Sequence, residues 1–168
     1  REDPDVILVG EMRDLETIQL AISAAETGHL VFGTLHTNNA PKTVDRIIDV
    51  FPADRQAQIR TMLAESLRGV VAQQLLKRAD GKGRVAAYEV LVATQAVRSL
   101  IREQKTFQLA STIGCSRKDG MQTLDQHLLE LVQARTVNVD EALKFSEQTA
   151  TLQAKAAALG LAPLAAAA

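Results

Sequence analysis

Val6-Ile7-Leu8-Val9 is an unbroken apolar run between Pro4 and Gly10, and the polar group Glu11, Arg13 and Asp14 follows at once. An apolar run of this length with β-branched members and breakers on both sides predicts a central strand of a parallel sheet, buried on both faces. Asp14 is placed to cap a helix whose apolar positions Leu15, Ile18, Ile22 and Ala25 keep helical spacing until Gly28 ends it. A second apolar run, Leu30 to Leu35, stretches from His29 to His36. Strand, helix and strand thus follow in order, and a right-handed crossover sets the second strand parallel to the first. Parallel sheets seat ligands beyond the carboxyl ends of their strands. Glu11 and His36 are therefore expected to emerge at one edge of the sheet and His29 at the other.

Asn39 and Pro41 open a further helix carrying Val44, Ile47, Ile48 and Phe51 until Pro52 interrupts it. A longer amphipathic helix follows through Ile59, Met62, Leu63 and Leu67, and the stretch from Val70 to Leu76 reads as a strand. Ala79 to Gly83 is a turn signal, and Arg84 to Val92 reads as the returning strand of a hairpin that is expected to complete the sheet. Beyond Val92 the apolar residues fall only at helical spacings: Val97, Leu100 and Ile101, then Phe107, Leu109 and Ile113, then Leu124, Leu128, Leu131 and Val132. Asp140 is a candidate cap for a last short helix. From about Glu147 the chain is alanine-rich, the pattern of a frayed helix or a flexible extension. The expected partition is an α/β portion over 1–92, an all-helical subdomain over 93–146, and a flexible tail over 147–168.

A chain of 168 residues with 46% hydrophobic content suffices for one compact domain. A net charge of -1, from 19 basic and 20 acidic residues, gives no reason to expect nucleic acid or an anionic membrane as partner. The single cysteine, Cys115, excludes an intrachain disulfide and a cysteine-rich zinc site, and fits a cytoplasmic location. No apolar run reaches membrane-spanning length, so direct membrane insertion is not expected. Cys115 and His127 have no neighbours at metal-ligand spacing, and neither is assigned chemistry.

The segment Arg1-Glu2-Asp3-Pro4-Asp5-Val6-Ile7-Leu8-Val9-Gly10-Glu11-Met12-Arg13-Asp14 resembles the signature of the secretion and type IV pilus ATPases, and His29 to Thr37 resembles the histidine box of that family. Ala96 to Glu103 and Gly120 to Asp125 are similar to motifs of its twitching-motility, pilus-retraction branch. The resemblance covers roughly residues 1 to 146. Extension and secretion motors of the family commonly carry a four-cysteine metal insert where this chain has only the Ala79 to Gly83 turn, which favours the retraction branch.

The resemblance implies the C-terminal part of a RecA-like P-loop ATPase core with a helical C-terminal subdomain. It implies ATP and Mg²⁺ as cofactors of the parent enzyme, with Glu11 as the Walker B acid acting on Mg²⁺ through water or on the attacking water. His36 would sense the γ-phosphate. Arg13 is either a nucleotide contact or an ion-pair partner holding the Glu11 loop. His29 is a weaker candidate, for which structure or a neighbouring subunit is an equally good account, and for Thr34 and Thr37 ordinary β-propensity is a better account than chemistry. Gly10, Gly28 and Gly33 are read as structural. By the resemblance Arg98, Leu100, Ile101, Arg102 and Glu103 would couple hydrolysis to pilus retraction, whereas without it a solvated helix face is the better account of the charges. The implied partners are five further copies in a hexamer and an inner-membrane pilus platform protein, with the motor cytoplasmic and peripheral to that membrane.

No Gly-x-x-x-x-Gly-Lys-[Ser/Thr] phosphate loop occurs in the sequence. The family places that loop, a second acidic box and the arginine fingers upstream of the signature, so the chain is expected not to hydrolyse ATP alone. It is also expected to self-associate through exposed flanks of its first strand. A non-catalytic assembly module, or part of a related secretion or extension ATPase, is the alternative.

Overall fold

The computed structural model describes residues 4–161. In chain order these form β1 (Val6–Val9), α1 (Leu15–Glu26), β2 (Leu30–Gly33), α2 (Ala40–Asp49), α3 (Ala53–Ser66), β3 (Gly69–Lys77), β4 (Arg84–Val92), α4 (Gln95–Arg102), α5 (Leu109–Cys115), α6 (Leu124–Gln133), α7 (Val139–Leu143) and α8 (Thr149–Ala158), with 3-10 turns at Thr106–Gln108 and Arg117–Asp119. The chain divides into two compact units, one of residues 1–70 with 92–112 and the other of residues 71–91 with 113–168.

In the first unit β1 and β2 pair in parallel, with Val6 opposite Leu30 and Val9 opposite Gly33. The crossover is α1. Its cap is Asp14, whose carboxylate accepts from Thr17 N at 2.8 Å, satisfying one of the orphan N–H groups of the first turn. At its other end Gly28 takes φ 99°, a left-handed conformation that a side chain would strain, and turns the chain back toward β2. Asn39 caps α2 in the same way, accepting from Lys42 N at 2.9 Å. Ile18 and Ile22 of α1, Val44 and Ile48 of α2, Ile59 and Leu63 of α3, and Val97 and Ile101 of α4 supply the buried side chains of this unit, where α3 packs with α1, α2 and α4.

Two expectations about the sheet are corrected here. β1 is not covered on both faces: Val6 is 54% and Leu8 75% exposed, alternating with half-buried Ile7 and Val9. An apolar run reports hydrophobicity on both faces of a strand but cannot specify which neighbours lie against them. The hairpin β3–β4 does not complete this sheet either. The described strands make two separate two-stranded sheets.

In the second unit the hairpin and the later helices share one core. Leu76 of β3 and Ala87 of β4 are buried with Leu124, Leu128 and Val132 of α6, Val139 and Ala142 of α7, and Leu152 and Ala156 of α8. The helices after residue 112 are therefore not a self-contained helical subdomain, and the linear division at residue 92 does not describe the grouping. The alanine-rich tail is corrected as well. Residues Thr149–Ala158 form α8, and Leu152 is only 3% exposed, because i and i+4 positions bring Leu152 and Ala156 onto one face against this core. The expected tail beyond residue 161 lies outside the described residues. The short helix α7 starts at Asn138 rather than at a cap on Asp140.

Gly120 to Asp125 is a structural segment. Gly120 is left-handed at φ 83°, Met121 is buried, and Gln122 pairs with Val90 of β4 across an antiparallel bridge. Thr123 and Gln126 close a capping box at the start of α6, with Gln126 N donating to Thr123 Oγ1 at 3.2 Å and Thr123 N to Gln126 Oε1 at 2.9 Å. The buried Glu89 carboxylate faces the same positive helix end, accepting from Leu124 N at 3.5 Å.

Candidate functional site

The parallel register carries the residues after β1 and β2 to the same edge, and side-chain bonds hold them there. Thr34 Oγ1 donates to Gly10 O, and Met12 N donates to Thr34 O at 2.9 Å, so the segment after β1 is fastened to the end of β2. Gly33 makes room for this arrangement: a Cβ on it would stand 2.7 Å from Met12 Cε and Sδ. Thr37 and Thr43 hydroxyls lie 2.7 Å apart, fixing the His36 segment to the first turn of α2. Thr34 and Thr37 are thus fasteners of the loop.

Glu11 and His36 meet at this edge. His36 Nε2 lies 2.7 Å from Glu11 Oε1, and Arg13 Nε forms an ion pair with the same oxygen. Glu11 Oε2 accepts no hydrogen bond among the described residues. The Arg13 hydrogen bond is the leading cause that holds the Glu11 carboxyl below the usual carboxylate range, with smaller contributions from the Arg13 charge and His36 opposing desolvation. Glu11 is therefore ionised at neutral pH. An open cleft of about 550 Å³ is lined by Glu11, Met12, Arg13, Leu35, His36 and Arg46. An ionised carboxylate anchored through one oxygen at a cleft wall, beside an imidazole, can hold and orient a water molecule or a hydrated cation.

His29 lies at the opposite end of β2. Its Nδ1 is 3.0 Å from both Ala24 O and Thr27 Oγ1, at the C-terminal end of α1, and it does not line the cleft. Arg46, in the last turn of α2, lines the cleft and was not among the residues singled out from the sequence. Its only sequence signal is a cation on the polar face of the helix that directly follows the His36 loop.

No group of three or more His, Cys, Asp or Glu side chains able to hold a metal exists among the described residues. Magnesium does not require one, since it keeps several waters and is commonly bound through one or two carboxylates plus substrate phosphates. Glu11 alone fits that limited demand.

The residues assigned to coupling divide by burial. Ile101 is fully buried in the first unit and Leu100 is half-buried. Arg98 donates through Nε to Ala93 O at 3.0 Å and through one terminal nitrogen to Glu65 O at 2.8 Å, in the last turn of α3. Arg102 and Glu103 are exposed; Arg102 reaches Ser99 Oγ at 3.3 Å, and Glu103 pairs with Lys105 at 2.7 Å.

No described helix is long and apolar enough to cross a membrane. Over 152 residues the chain is 56% identical to a twitching motility protein of Neisseria gonorrhoeae, covering 90% of this chain and 41% of that protein. It is 61% identical over 132 residues to the type IV pilus retraction ATPase PilT of Pseudomonas aeruginosa, covering 79% of this chain and 38% of that one. A crystal structure of the pilus retraction motor PilT with bound ADP superimposes with a TM-score of 0.78 at 49% identity, covering 87% of this chain and 40% of that one. The chain spans about two fifths of the length of these relatives. Residues 1–144 match the family model described as type II/IV secretion system protein, and the chain belongs to that family.

Proposed function

We propose that this chain is the C-terminal portion of a type IV pilus retraction motor that couples ATP hydrolysis to pilus disassembly. The observation that carries this reading is the ionised Glu11 carboxylate at the end of a parallel strand, lining the cleft with Oε1 held by Arg13 and His36. Phosphoryl transfer asks a protein mainly to position groups and stabilise charge. Glu11 would orient the attacking water, directly or through a water on Mg²⁺, and His36 would sense the γ-phosphate from beside it. The similarity to twitching-motility and pilus-retraction proteins supports the retraction branch.

In this reading β1 and β2 belong to a RecA-like core whose phosphate loop is supplied by sequence other than these 168 residues. The parent enzyme is a cytoplasmic homohexamer that meets the inner membrane through the pilus platform protein. Arg98, Leu100, Ile101, Arg102 and Glu103 transmit hydrolysis to the pilus, the first and fourth of these by different means, since Arg98 is bonded inward and Arg102 is exposed.

The test compares this chain with the full-length gene product that contains it. The chain alone should release no phosphate from ATP, and Glu11→Gln in the full-length protein should lower turnover by about 10²–10⁴-fold, the range of a lost acid–base group, with nucleotide still bound. Unchanged turnover in that variant, or full turnover by the chain alone, overturns the proposal.

A further inference from the structure

The cleft wall carries two guanidinium groups, and they are not equivalent. Arg13 is committed to Glu11. Arg46 lines the same cleft, is exposed, and makes no ion pair or hydrogen bond among the described residues. Its position is set by α2, which is fastened at its start by the Asn39 cap and the Thr37–Thr43 contact and buries Val44, Ile47 and Ile48, leaving position 46 outward.

Charge decides how the two differ. Arg13 and Glu11 neutralise each other, so an anion that drew Arg13 away would have to approach a carboxylate stripped of its strongest partner. Arg46 has no acid to leave, and a guanidinium fork matches phosphate oxygens in a bidentate fashion. We infer that Arg46 is the cation that receives the phosphate oxygens of a polyphosphate in this cleft, while Arg13 acts as the positioning residue that holds Glu11. This rests on the phosphate-cleft reading above and adds to it a division of labour between the two arginines.

Arginine side-chain N–H signals in NMR spectra of the full-length gene product, titrated with inorganic pyrophosphate, test the inference. The Arg46 Nε–H signal should move with saturation while the Arg13 signal keeps its Glu11-bonded position. Arg46→Gln should weaken pyrophosphate binding by about tenfold, as expected for one lost charge-assisted hydrogen bond, and Arg46→Lys, which keeps the charge but not the fork, by less. Binding by the Arg46→Gln full-length protein equal to that of the unmodified one, or movement of Arg13 with Arg46 still, overturns the division of labour and leaves the cleft reading standing. No response of any cleft residue in the unmodified full-length protein overturns the phosphate reading itself and this inference with it.

Discussion

His36 Nε2 lies 2.7 Å from Glu11 Oε1, although the crossover helix α1 and the strand β2 separate the two in sequence. The parallel register of β1 with β2 brings them together, and the Thr34 and Met12 hydrogen bonds keep the two strand ends from fraying apart.

This arrangement fixes the sign of a pH effect. Arg13 lowers the Glu11 pKa in the folded chain, and the backbone N–H of Thr17 lowers that of Asp14. For a lowered pKa the stabilisation is complete above the unfolded value and is lost as pH falls through the folded one. Stability measured by urea denaturation should hold near neutrality and decline as pH falls through the acid range in which these carboxyls take up protons. Arg13→Gln should reduce the part of the decline that belongs to Glu11. An acid limb identical in the two chains would show that the pair contributes nothing.

Arg98 ties Glu65 O at the end of α3 to Ala93 O after β4. A guanidinium at a helix C-terminus satisfies carbonyls left without intrahelical partners and meets the negative end of the dipole. Arg98→Ala should destabilise the chain by about 1–3 kcal/mol, the range for hydrogen bonds to a charged group, and hydrogen exchange should speed up in the last turn of α3. Arg102→Ala, at an exposed position, should stay within about 0.5 kcal/mol of the parent. Equal losses in the two variants would contradict the inward role of Arg98.

His127 has a structural place in the second unit. Its Nδ1 accepts from Tyr88 N at 2.9 Å and lies 3.1 Å from Gln122 Nε2, and its ring stacks on Tyr88 with centroids 5.8 Å apart. His127→Phe keeps the ring contact but leaves the Tyr88 N–H without its acceptor, and should cost about 1–3 kcal/mol in urea denaturation. A cost near zero would show that water replaces the imidazole there.

Leu152 tests whether the alanine-rich helix belongs to the fold. Its burial in the core with Leu128, Val132 and Ala142 means that Leu152→Ala should cost about 2–5 kcal/mol by chemical denaturation. A surface change on the same helix, Gln153→Ala, should leave stability within about 0.5 kcal/mol. If both variants melt with the parent chain, α8 does not contribute to the core.

Local signals were legible where one residue type has one strong physical preference. Asp14 and Asn39 cap their helices because a short side-chain oxygen reaches the free N–H groups of the first turn. The β4 span and the turn before it follow from alternation and glycine. Other features depend on distant partners. Neither Arg46 nor Arg98 carries a local mark of what it faces, since a cation on a helix reads as solvated surface until the fold shows a cleft wall or a helix end beside it. Helix α8 was missed for a related reason: its alanines and single leucine look too poor to bury, yet two residues on one face suffice when a core is waiting.

The sequence by itself determined the crossover that places Glu11 and His36 at one strand edge, because the strand period, the helix caps and chain handedness are local properties. Only the tertiary structure decided that β3 and β4 form a sheet of their own and share a core with α6, α7 and α8, and that Arg13 is paired while Arg46 is not. Strand pairing, core membership and charge pairing are choices among many distant partners of similar chemistry, and such choices are settled by packing and position in space.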